Sequence, residues 1–289
     1  MIPQTFSYRR PDTVAEAVSL LQKYGDSAKI ISGGQSLIPM MKMRVARPEY
    51  LIDINHLPGL AGIREADGYL RIGGLTREAD LERSELVRSR YPILVDTAKM
   101  IADPLVRNLA TVGGNLAHGD PANDHPATML AVRAIVVATG AQGERTIPIR
   151  EFFLFLFTTA LAKDEILTEI RIPAAKPNSG GAYFKLERKV GDYATAGAAA
   201  YIVLGADKNC TEVGIGLTNV GGTPLAAESA EAFLTGKPLT PENIAHTADL
   251  AAQAAQPSSD LRGPAEYKVA MVRELTRRAL TRVGERANG

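Results

Sequence analysis

The sequence is short of thiols, since Cys210 is the single cysteine among 289 residues. An intramolecular disulfide or a CxxC redox motif needs two cysteines, and an iron–sulfur cluster usually needs four thiolates. Any such centre that works with this chain must therefore lie on a partner chain. Histidine is also scarce, with four residues, and no nucleophile-elbow sequence is present, so hydrolysis has little support.

Long apolar runs and an excess of charge of one sign are missing as well. The 33 basic and 32 acidic residues leave a formal charge of +1, which favours neither nucleic acid nor a membrane surface. Apolar runs such as 152–157 are far shorter than the ~18 residues of a membrane span, and the N-terminus does not resemble a signal peptide. We therefore expect a cytoplasmic globular protein with no transmembrane segment and no nucleic-acid partner.

Turn residues and changes of periodicity divide the chain into three predicted units, 1–55, 56–177 and 178–289. Thr13 and Glu16 form a capping-box pair that predicts the start of the first helix. Clustered Pro, Asn, Ser and Gly residues predict a linker at 173–181. In the third unit, two strands are expected to precede helices at 225–234, 241–256 and 264–286.

Two Gly-Gly segments that follow β-like runs are candidate anion sites. They are Ser32-Gly33-Gly34-Gln35-Ser36 and Thr111-Val112-Gly113-Gly114-Asn115. Paired glycines permit positive φ, so consecutive backbone N–H groups can turn towards an oxyanion, and the flanking hydroxyl and amide side chains add donors. A single Gly-Gly turn is usually only a turn, but two such loops in adjacent units favour a ligand with two linked phosphates between them.

The commoner nucleotide fingerprints are absent from the sequence. No GxGxxG opens a helix after a strand, and no GxxxxGK[ST] occurs. Gly214-Ile215-Gly216 lacks the third glycine and is interpreted as a strand with a close neighbour.

Two polar segments leave alternatives open. His118, Asp120, Asp124 and His125 could hold a metal ion, but we favour a polar loop in which Asp124 caps the following helix, and we assign no metal ligand. Around Lys185 and Tyr193, the polar segment 185–195 is either an exposed strand edge or a surface that presents an aromatic ring at a cleft, where the ring could stack on a flavin.

Four segments in this order resemble the FAD-binding medium subunit of the molybdenum hydroxylases, the family of aerobic carbon monoxide dehydrogenase and, more distantly, the flavin domain of xanthine dehydrogenase. The resemblance covers essentially the whole chain. Its most specific parts are SGGQSLIPMMKMR (32–44), IADPLVRNLATVGGNLAHGDPANDHPA (101–127), KLERKVGDYATA (185–196) and IGLTNV (215–220).

This resemblance implies an α+β protein with a vanillyl-alcohol-oxidase-type FAD-binding fold, made of two α/β subdomains, and a C-terminal α+β domain of the CO dehydrogenase flavoprotein type. Residues 32–36 and 111–115 would then hold the diphosphate of FAD. Asp124 would lie beside the cofactor, and Lys185 and Tyr193 would approach the isoalloxazine, with Tyr193 shielding one face.

The resemblance also implies an electron-transfer subunit of an oxidoreductase, with no catalytic residue of its own. A small subunit with two [2Fe–2S] clusters would pass electrons to FAD, which delivers them to an external acceptor. A large molybdenum subunit would oxidise the substrate, and the complex would be a dimer of heterotrimers. Two alternatives stay open, a self-sufficient flavin oxidase and a non-catalytic nucleotide-binding module.

The substrate is not predicted. Carbon monoxide dehydrogenase medium subunits often have His where this chain has Gln35, which weakens the case for CO. N-heterocycles or purines, aldehydes and acyl-CoA thioesters are the other substrate classes that the resemblance allows.

Overall fold

The computed structural model describes residues 2–288. Near the N-terminus, β1 (Ser7–Arg9), β2 (Ala28–Ile31) and β3 (Tyr50–Asp53) form a parallel sheet in the order β1-β3-β2. Helix α1 (Val14–Tyr24) begins as predicted, because the Thr13 hydroxyl accepts a hydrogen bond from the backbone N–H of Glu16. The short helix α2 (Leu37–Lys42) follows β2, so the segment 32–36 lies between the end of a strand and a helix.

The central part of the chain is built on an antiparallel five-stranded sheet in the order β4-β5-β10-β6-β7. Its strands are β4 (Ile63–Ala66), β5 (Tyr69–Gly73), β6 (Ile135–Gly140), β7 (Gly143–Pro148) and β10 (Ile166–Pro173). Between β5 and β6 lie six helices, α3 (Glu78–Arg83), α4 (Glu85–Arg90), α5 (Pro92–Met100), α6 (Pro104–Arg107), α7 (Val112–Ala117) and α8 (His125–Ala131). Strands β8 (Phe153–Phe155) and β9 (Thr158–Thr159) form a separate hairpin.

A third sheet with three helices completes the described chain. Its strands, in the order β11-β12-β13-β14, are β11 (Ser179–Leu186), β12 (Ala196–Leu204), β13 (Cys210–Thr218) and β14 (Leu225–Ala226), and all their pairings are antiparallel. Helices α9 (Glu228–Leu234), α10 (Pro241–Ala254) and α11 (Ala265–Asn288) follow, and α11 packs on β11 and β12. The mixture of helices and strands confirms the α+β class.

The third sheet packs directly on the central helices. A side chain added at Gly214 would overlap the backbone carbonyl of Ala131, and one added at Gly216 would overlap that of Ala127. Both carbonyls belong to α8, so the alternation of glycine with Ile215 in β13 lets the helix approach the strand. This confirms the interpretation of Gly214-Ile215-Gly216 as a strand with a close neighbour.

Two predicted elements were wrong in part. Strand β11 already begins at Ser179, so the predicted linker shortens to 174–178. Gly180 and Gly181 are strand residues that admit close neighbours. An added Cβ at Gly180 would lie 2.7 Å from the Val283 carbonyl oxygen, and one at Gly181 would lie 3.0 Å from the Ile93 Cβ. The predicted helix at 225–234 starts with the short strand β14, and α9 begins only at Glu228.

No helix in the described part of the chain is both long enough and apolar enough to cross a membrane.

Candidate cofactor site

The two Gly-Gly segments lie side by side, although Ser32 and Thr111, the first residues of each, are 79 positions apart in sequence. The hydroxyls of Ser32 and Thr111 are 3.1 Å apart. A side chain added at Gly33 would overlap the carbonyl oxygen of Leu109, so the first segment rests on the backbone that leads into the second. The fold therefore brings the two candidate anion sites into one place.

The segment 111–115 is not the loop that the sequence predicted. It forms the first turn of α7, in which the Thr111 hydroxyl accepts a hydrogen bond from the Gly114 N–H at 3.1 Å. Thr111 is thus the N-cap of a helix, and the next two N–H groups, of Val112 and Gly113, donate to the carbonyls of Thr76 and Gly74.

The glycines of the two segments mainly allow neighbouring parts of the chain to pack closely against them. Gly34 has a positive φ of +72°, but Gly33, Gly113 and Gly114 do not, so the predicted positive φ is correct at one position of four. An added Cβ at Gly113 would lie 2.5 Å from the Gly74 carbonyl oxygen, and one at Gly114 would lie 2.9 Å from the Ser32 hydroxyl. Backbone atoms at Gly113 and side-chain hydroxyls at Gly114 leave no room for a side chain at these places.

The polar side chains of the segments include one buried group without a partner. The Gln35 amide nitrogen donates to the Gly33 carbonyl at 3.0 Å, which stiffens the first segment. The Asn115 amide oxygen is buried and has no hydrogen-bond partner in the described chain. Because such a group costs free energy unless it is paired, a ligand that donates a hydrogen bond here would satisfy it.

Two residues that sequence reasoning missed connect the segments. The Asn55 amide nitrogen donates to the Ser32 carbonyl at 2.7 Å, and the Arg77 guanidinium donates to the Leu109 carbonyl and, at 2.8 Å, to the Asn55 amide oxygen. The position of Asn55, two residues beyond the end of β3, is a sequence signal that could have found it. Nothing in the sequence around Arg77 singles it out.

Asp124 lies close to the second segment through its neighbour Asn123. The Asn123 amide nitrogen donates to the Asn115 carbonyl at 2.8 Å. Asp124 itself is buried and precedes α8, but its carboxylate makes no capping hydrogen bond to that helix, so the predicted capping role is wrong. It accepts instead from the Tyr183 hydroxyl at 2.6 Å and from the Lys185 ammonium at 3.0 Å.

The ammonium group of Lys185 is enclosed by acceptors. It donates to the Met100 carbonyl at 2.7 Å, and the carboxylates of Asp124 and Glu187 lie 3.0 and 3.2 Å away. The Met100 carbonyl and Asp124 accept hydrogen bonds, and Glu187 adds an ion pair without a hydrogen bond. The structure thus joins the predicted residues Asp124 and Lys185 in one buried ion pair, held by strand β11 and the start of α8.

Burial dominates the electrostatics of this pair. It raises the pKa of the Asp124 carboxyl above its ordinary value, although the charge of Lys185 and the hydrogen bond from Tyr183 oppose the rise. Burial and the Asp124 charge raise the pKa of Tyr183 well above its ordinary value, so this hydroxyl stays protonated and remains a donor.

Tyr193 is exposed over 43% of its surface and lies in the segment between β11 and β12. Partial burial raises the pKa of its hydroxyl, and the charges of Asp120 and Asp124 add to the rise. The Arg262 guanidinium lies 5.8 Å from the ring centre. An exposed aromatic ring in this position is free to cover a bound ligand.

The histidines considered as metal ligands have other partners. His118 packs against the Phe157 ring, with 5.1 Å between ring centres, and His125 contacts the Glu78 carboxylate at 2.7 Å in the protein interior. Within residues 2–288, no group of three or more His, Cys, Asp or Glu side chains could hold a metal ion.

The donor set fits the diphosphate of a dinucleotide. Hydroxyls at Ser32, Ser36 and Thr111 lie beside the backbone N–H groups of the strand-to-helix turn 32–36, and both segments are half-buried or buried. Oriented backbone N–H groups and hydroxyls of this kind bind phosphate oxygens. The site therefore has the chemistry that the predicted FAD requires.

Comparison with known proteins gives matches over the whole chain. Residues 4–175 match the family model described as the FAD binding domain in molybdopterin dehydrogenase, and residues 181–283 match that of the CO dehydrogenase flavoprotein C-terminal domain. The carbon monoxide dehydrogenase medium chain of Hydrogenophaga pseudoflava is 48% identical over 280 residues, which cover 97% of each chain. Subunit alpha of the 6-hydroxypseudooxynicotine dehydrogenase complex of Paenarthrobacter nicotinovorans is 39% identical and covers 99% of this chain and 97% of its own length.

A solved structure shows the same fold. Carbon monoxide dehydrogenase from Hydrogenophaga pseudoflava, in a form that lacks the Mo-pyranopterin moiety of the molybdenum cofactor, contains a chain that superposes with a TM-score of 0.96. The two chains are 49% identical, and the match covers 99% of each. This likeness confirms the predicted fold, with an FAD-binding part followed by a C-terminal domain of the CO dehydrogenase flavoprotein type.

Proposed function

The chain belongs to the family of FAD-binding subunits of molybdopterin dehydrogenases, and from that premise we propose that it relays electrons from the [2Fe–2S] clusters of a partner, through FAD, to an external acceptor. As an FAD-binding oxidoreductase subunit of the molybdenum hydroxylase type, it works in a complex. The substrate is oxidised on a separate large subunit. FAD connects one-electron carriers to a two-electron acceptor, since a flavin accepts electrons singly and releases them in pairs.

The observation that carries this proposal is that the candidate acid–base groups beside the site are already paired. Asp124 accepts from Tyr183 and Lys185, and the ammonium of Lys185 also donates to the Met100 carbonyl and forms an ion pair with Glu187. A self-sufficient oxidase needs a base that can take a proton from its substrate. An electron relay needs no such base, because it takes no proton from a substrate.

The single thiol also favours the relay. Cys210 is buried in β13, and burial raises its pKa to about 11, so it offers no thiolate. The clusters that feed the flavin must then belong to another chain.

We assign the cofactor-binding residues in two groups. Ser32, Gly33, Gly34, Gln35 and Ser36, with Thr111, Val112, Gly113, Gly114 and Asn115, hold the diphosphate through backbone N–H groups, hydroxyls and amides. Asp124, Lys185 and Tyr193 lie beside the isoalloxazine. In this second group, Lys185 acts through the groups it holds, Asp124 and the Met100 carbonyl, while Tyr193 covers the ring system and excludes water.

The partners follow from the same proposal. The relatives carry the names of a medium chain and of a subunit of a dehydrogenase complex. We propose a small [2Fe–2S] subunit and a large molybdenum subunit as partners, in a dimer of heterotrimers. The unit boundaries after residues 55 and 177 are part of this proposal, with FAD between the first two units.

The substrate class stays open among CO, N-heterocycles or purines, aldehydes and acyl-CoA thioesters. The two relatives differ in the substrates that their names state, although each matches this chain over nearly its whole length. A flavin subunit of this fold is therefore compatible with different large subunits, and the large subunit determines the substrate.

The proposal is tested by assaying the full-length chain, loaded with FAD, with each substrate class and an artificial electron acceptor. We expect bound oxidised flavin in the visible spectrum and no turnover by the chain alone. Addition of the small and large subunits from the native host should produce activity with one class. Turnover by the chain alone at the rate of the complex would replace the relay by a self-sufficient oxidase, and a chain without flavin absorbance would favour a non-catalytic module.

A further inference from the structure

The two diphosphate-binding segments contain no positive charge. Their ten residues are serine, threonine, glycine, valine, glutamine and asparagine. A diphosphate diester is anionic at neutral pH, and neutral donors alone leave that charge uncompensated when it enters a partly buried site. A cation that is in contact with both segments would fill this need.

Arg77 is the cation connected to both segments. One guanidinium nitrogen donates to the Leu109 carbonyl, the group on which Gly33 rests. The other terminal nitrogen donates to the Asn55 amide oxygen at 2.8 Å, and the Asn55 amide nitrogen donates to the Ser32 carbonyl at 2.7 Å. The guanidinium thus links the backbone just before the segment 111–115 to Asn55, and through Asn55 to Ser32 of the segment 32–36.

The backbone around Arg77 fixes its position. Arg77 pairs with Thr111 in an antiparallel bridge, Glu78 N–H donates to the Ala110 carbonyl at 3.0 Å, and Val112 N–H donates to the Thr76 carbonyl at 3.0 Å. The stretch that carries Arg77 therefore runs directly alongside the start of the second segment. Its distance from Thr111 cannot change without breaking these bonds.

The charge of Arg77 is not neutralised by a carboxylate. Its hydrogen-bond partners are a backbone carbonyl and an amide oxygen, and no Asp or Glu among residues 2–288 lies within ion-pair distance of it. The nearby Asp53 is engaged elsewhere, because its carboxylate accepts from the Tyr8 hydroxyl and from the Asn55 amide. The guanidinium keeps its full positive charge beside the two segments.

We propose that Arg77, held by Asn55, is a positioning residue of the diphosphate site: it sets the spacing of the two segments and supplies the positive charge that they lack. This inference rests on the proposed role of the segments. The ligand class is a molecule with two linked phosphates. Arginine suits the role better than lysine because its planar fork donates in two fixed directions at once.

The test compares Arg77→Met and Arg77→Lys with wild type in the full-length chain. We expect Arg77→Met to weaken the binding of both FAD and ADP by roughly 10–100-fold, which is the range for hydrogen bonds and charge at an anionic group. Riboflavin, which has no phosphate, should bind the variant as it binds wild type. Arg77→Lys keeps the charge and should recover part of the loss.

Two further measurements separate charge from simple structural damage. FAD affinity should fall less steeply with added salt in Arg77→Met than in wild type, since screening acts on the removed charge. Arg88→Met is the matched control, because Arg88 is exposed and pairs only with Glu85 within its own helix; it should leave FAD and ADP affinity unchanged.

The inference is overturned if Arg77→Met binds ADP as wild type does, or if riboflavin affinity falls in the same proportion as ADP affinity. Its failure can be told from failure of the segments' proposed role. If Gly33→Val also binds FAD normally, the segments are not the diphosphate site. If Gly33→Val loses FAD affinity and Arg77→Met does not, only the proposed role of Arg77 is wrong.

Discussion

The two parts of the candidate site are built in opposite ways. The diphosphate part, 32–36 with 111–115, is made of backbone, glycine and neutral side chains, and its own residues contain no charge. The part around Asp124 and Lys185 places an ion pair in the interior, with side-chain exposures of 7% and 1%. The first part depends on the course of the backbone, and the second on two charges that are stable only together.

The difference shows what each part can tolerate. Glycines that touch backbone atoms leave no room for a side chain, so a single added carbon atom should disturb the first part. A buried ion pair contributes little net stability, but removal of one partner leaves an uncompensated charge in the interior. Substitutions should therefore affect ligand binding in the first part and folding stability in the second.

The largest effect is expected for Gly33→Val. The new side chain would overlap the Leu109 carbonyl and push the first segment away from the second. Overpacking of ~1–3 kcal/mol and loss of a hydrogen bond to phosphate of ~1.5–3 kcal/mol together predict an FAD affinity lower by roughly 100-fold or more. Isothermal titration with FAD measures this loss, while circular dichroism checks that the variant is folded.

Gly222→Val serves as the control for this substitution. A side chain added at Gly222 would meet no atom within 4 Å, and the residue lies in a turn outside both segments. Its FAD affinity should equal that of wild type. Normal flavin content in Gly33→Val would show that the close approach of the two segments is not needed for binding.

The second prediction concerns the buried pair. Lys185→Met leaves the Asp124 carboxylate without its cation, and we expect the free energy of unfolding to fall by ~3–5 kcal/mol. The double variant Asp124→Asn with Lys185→Met should regain part of that stability. Denaturant unfolding of wild type, the two single variants and the double variant gives the coupling energy between the two side chains. Additive effects would mean that the two charges do not depend on each other.

A smaller loss is expected for Asn115→Ala. The amide lies at the start of α7, and a hydrogen bond from it to a charged group predicts an affinity loss of ~1.5–3 kcal/mol for FAD. Asn209→Ala is a suitable control, because Asn209 bonds to Asp207 in an exposed turn. Unchanged FAD affinity in a fluorescence titration would mean that Asn115 only shapes the first turn of the helix.

The smallest effect is a pH dependence of stability. Because burial raises the pKa of Asp124 above 3.8, the folded state holds this proton more tightly than the unfolded state does. The stability gained is complete below the unfolded pKa and is lost as pH rises through the folded pKa. The unfolding free energy of wild type relative to Asp124→Asn should therefore decrease with rising pH across that window.

Glu165 gives the opposite sign and so acts as a control. The hydrogen bond from Arg145 lowers the pKa of the Glu165 carboxyl, so its contribution is present above the unfolded pKa and disappears as pH falls through the folded value. Wild type relative to Glu165→Gln should gain stability with rising pH. The same sign for both positions would contradict the assignment of Asp124 as a carboxyl whose pKa is raised by burial.

The sequence predicted the local features that depend on short-range chemistry. The cap at Thr13 and the glycines of β13 were correct, because a capping hydroxyl and an absent side chain act on immediate neighbours. The segment 111–115 was predicted as a polar turn, but packing against Gly74 makes it a helix start. Asp124 was predicted as a cap, yet Lys185, 61 residues further along, takes its carboxylate. Arg77 could not be found from the sequence, since its partners are set by tertiary contacts.

The most direct test of the central claim is a crystal structure of the full-length chain with FAD bound. The central claim is that the segments 32–36 and 111–115 hold the cofactor's diphosphate between them. We expect diphosphate oxygens within hydrogen-bond distance, about 3 Å, of hydrogen-bond donors in both segments, with the isoalloxazine near Tyr193. A diphosphate that contacts neither segment, or only one of them, would contradict the claim.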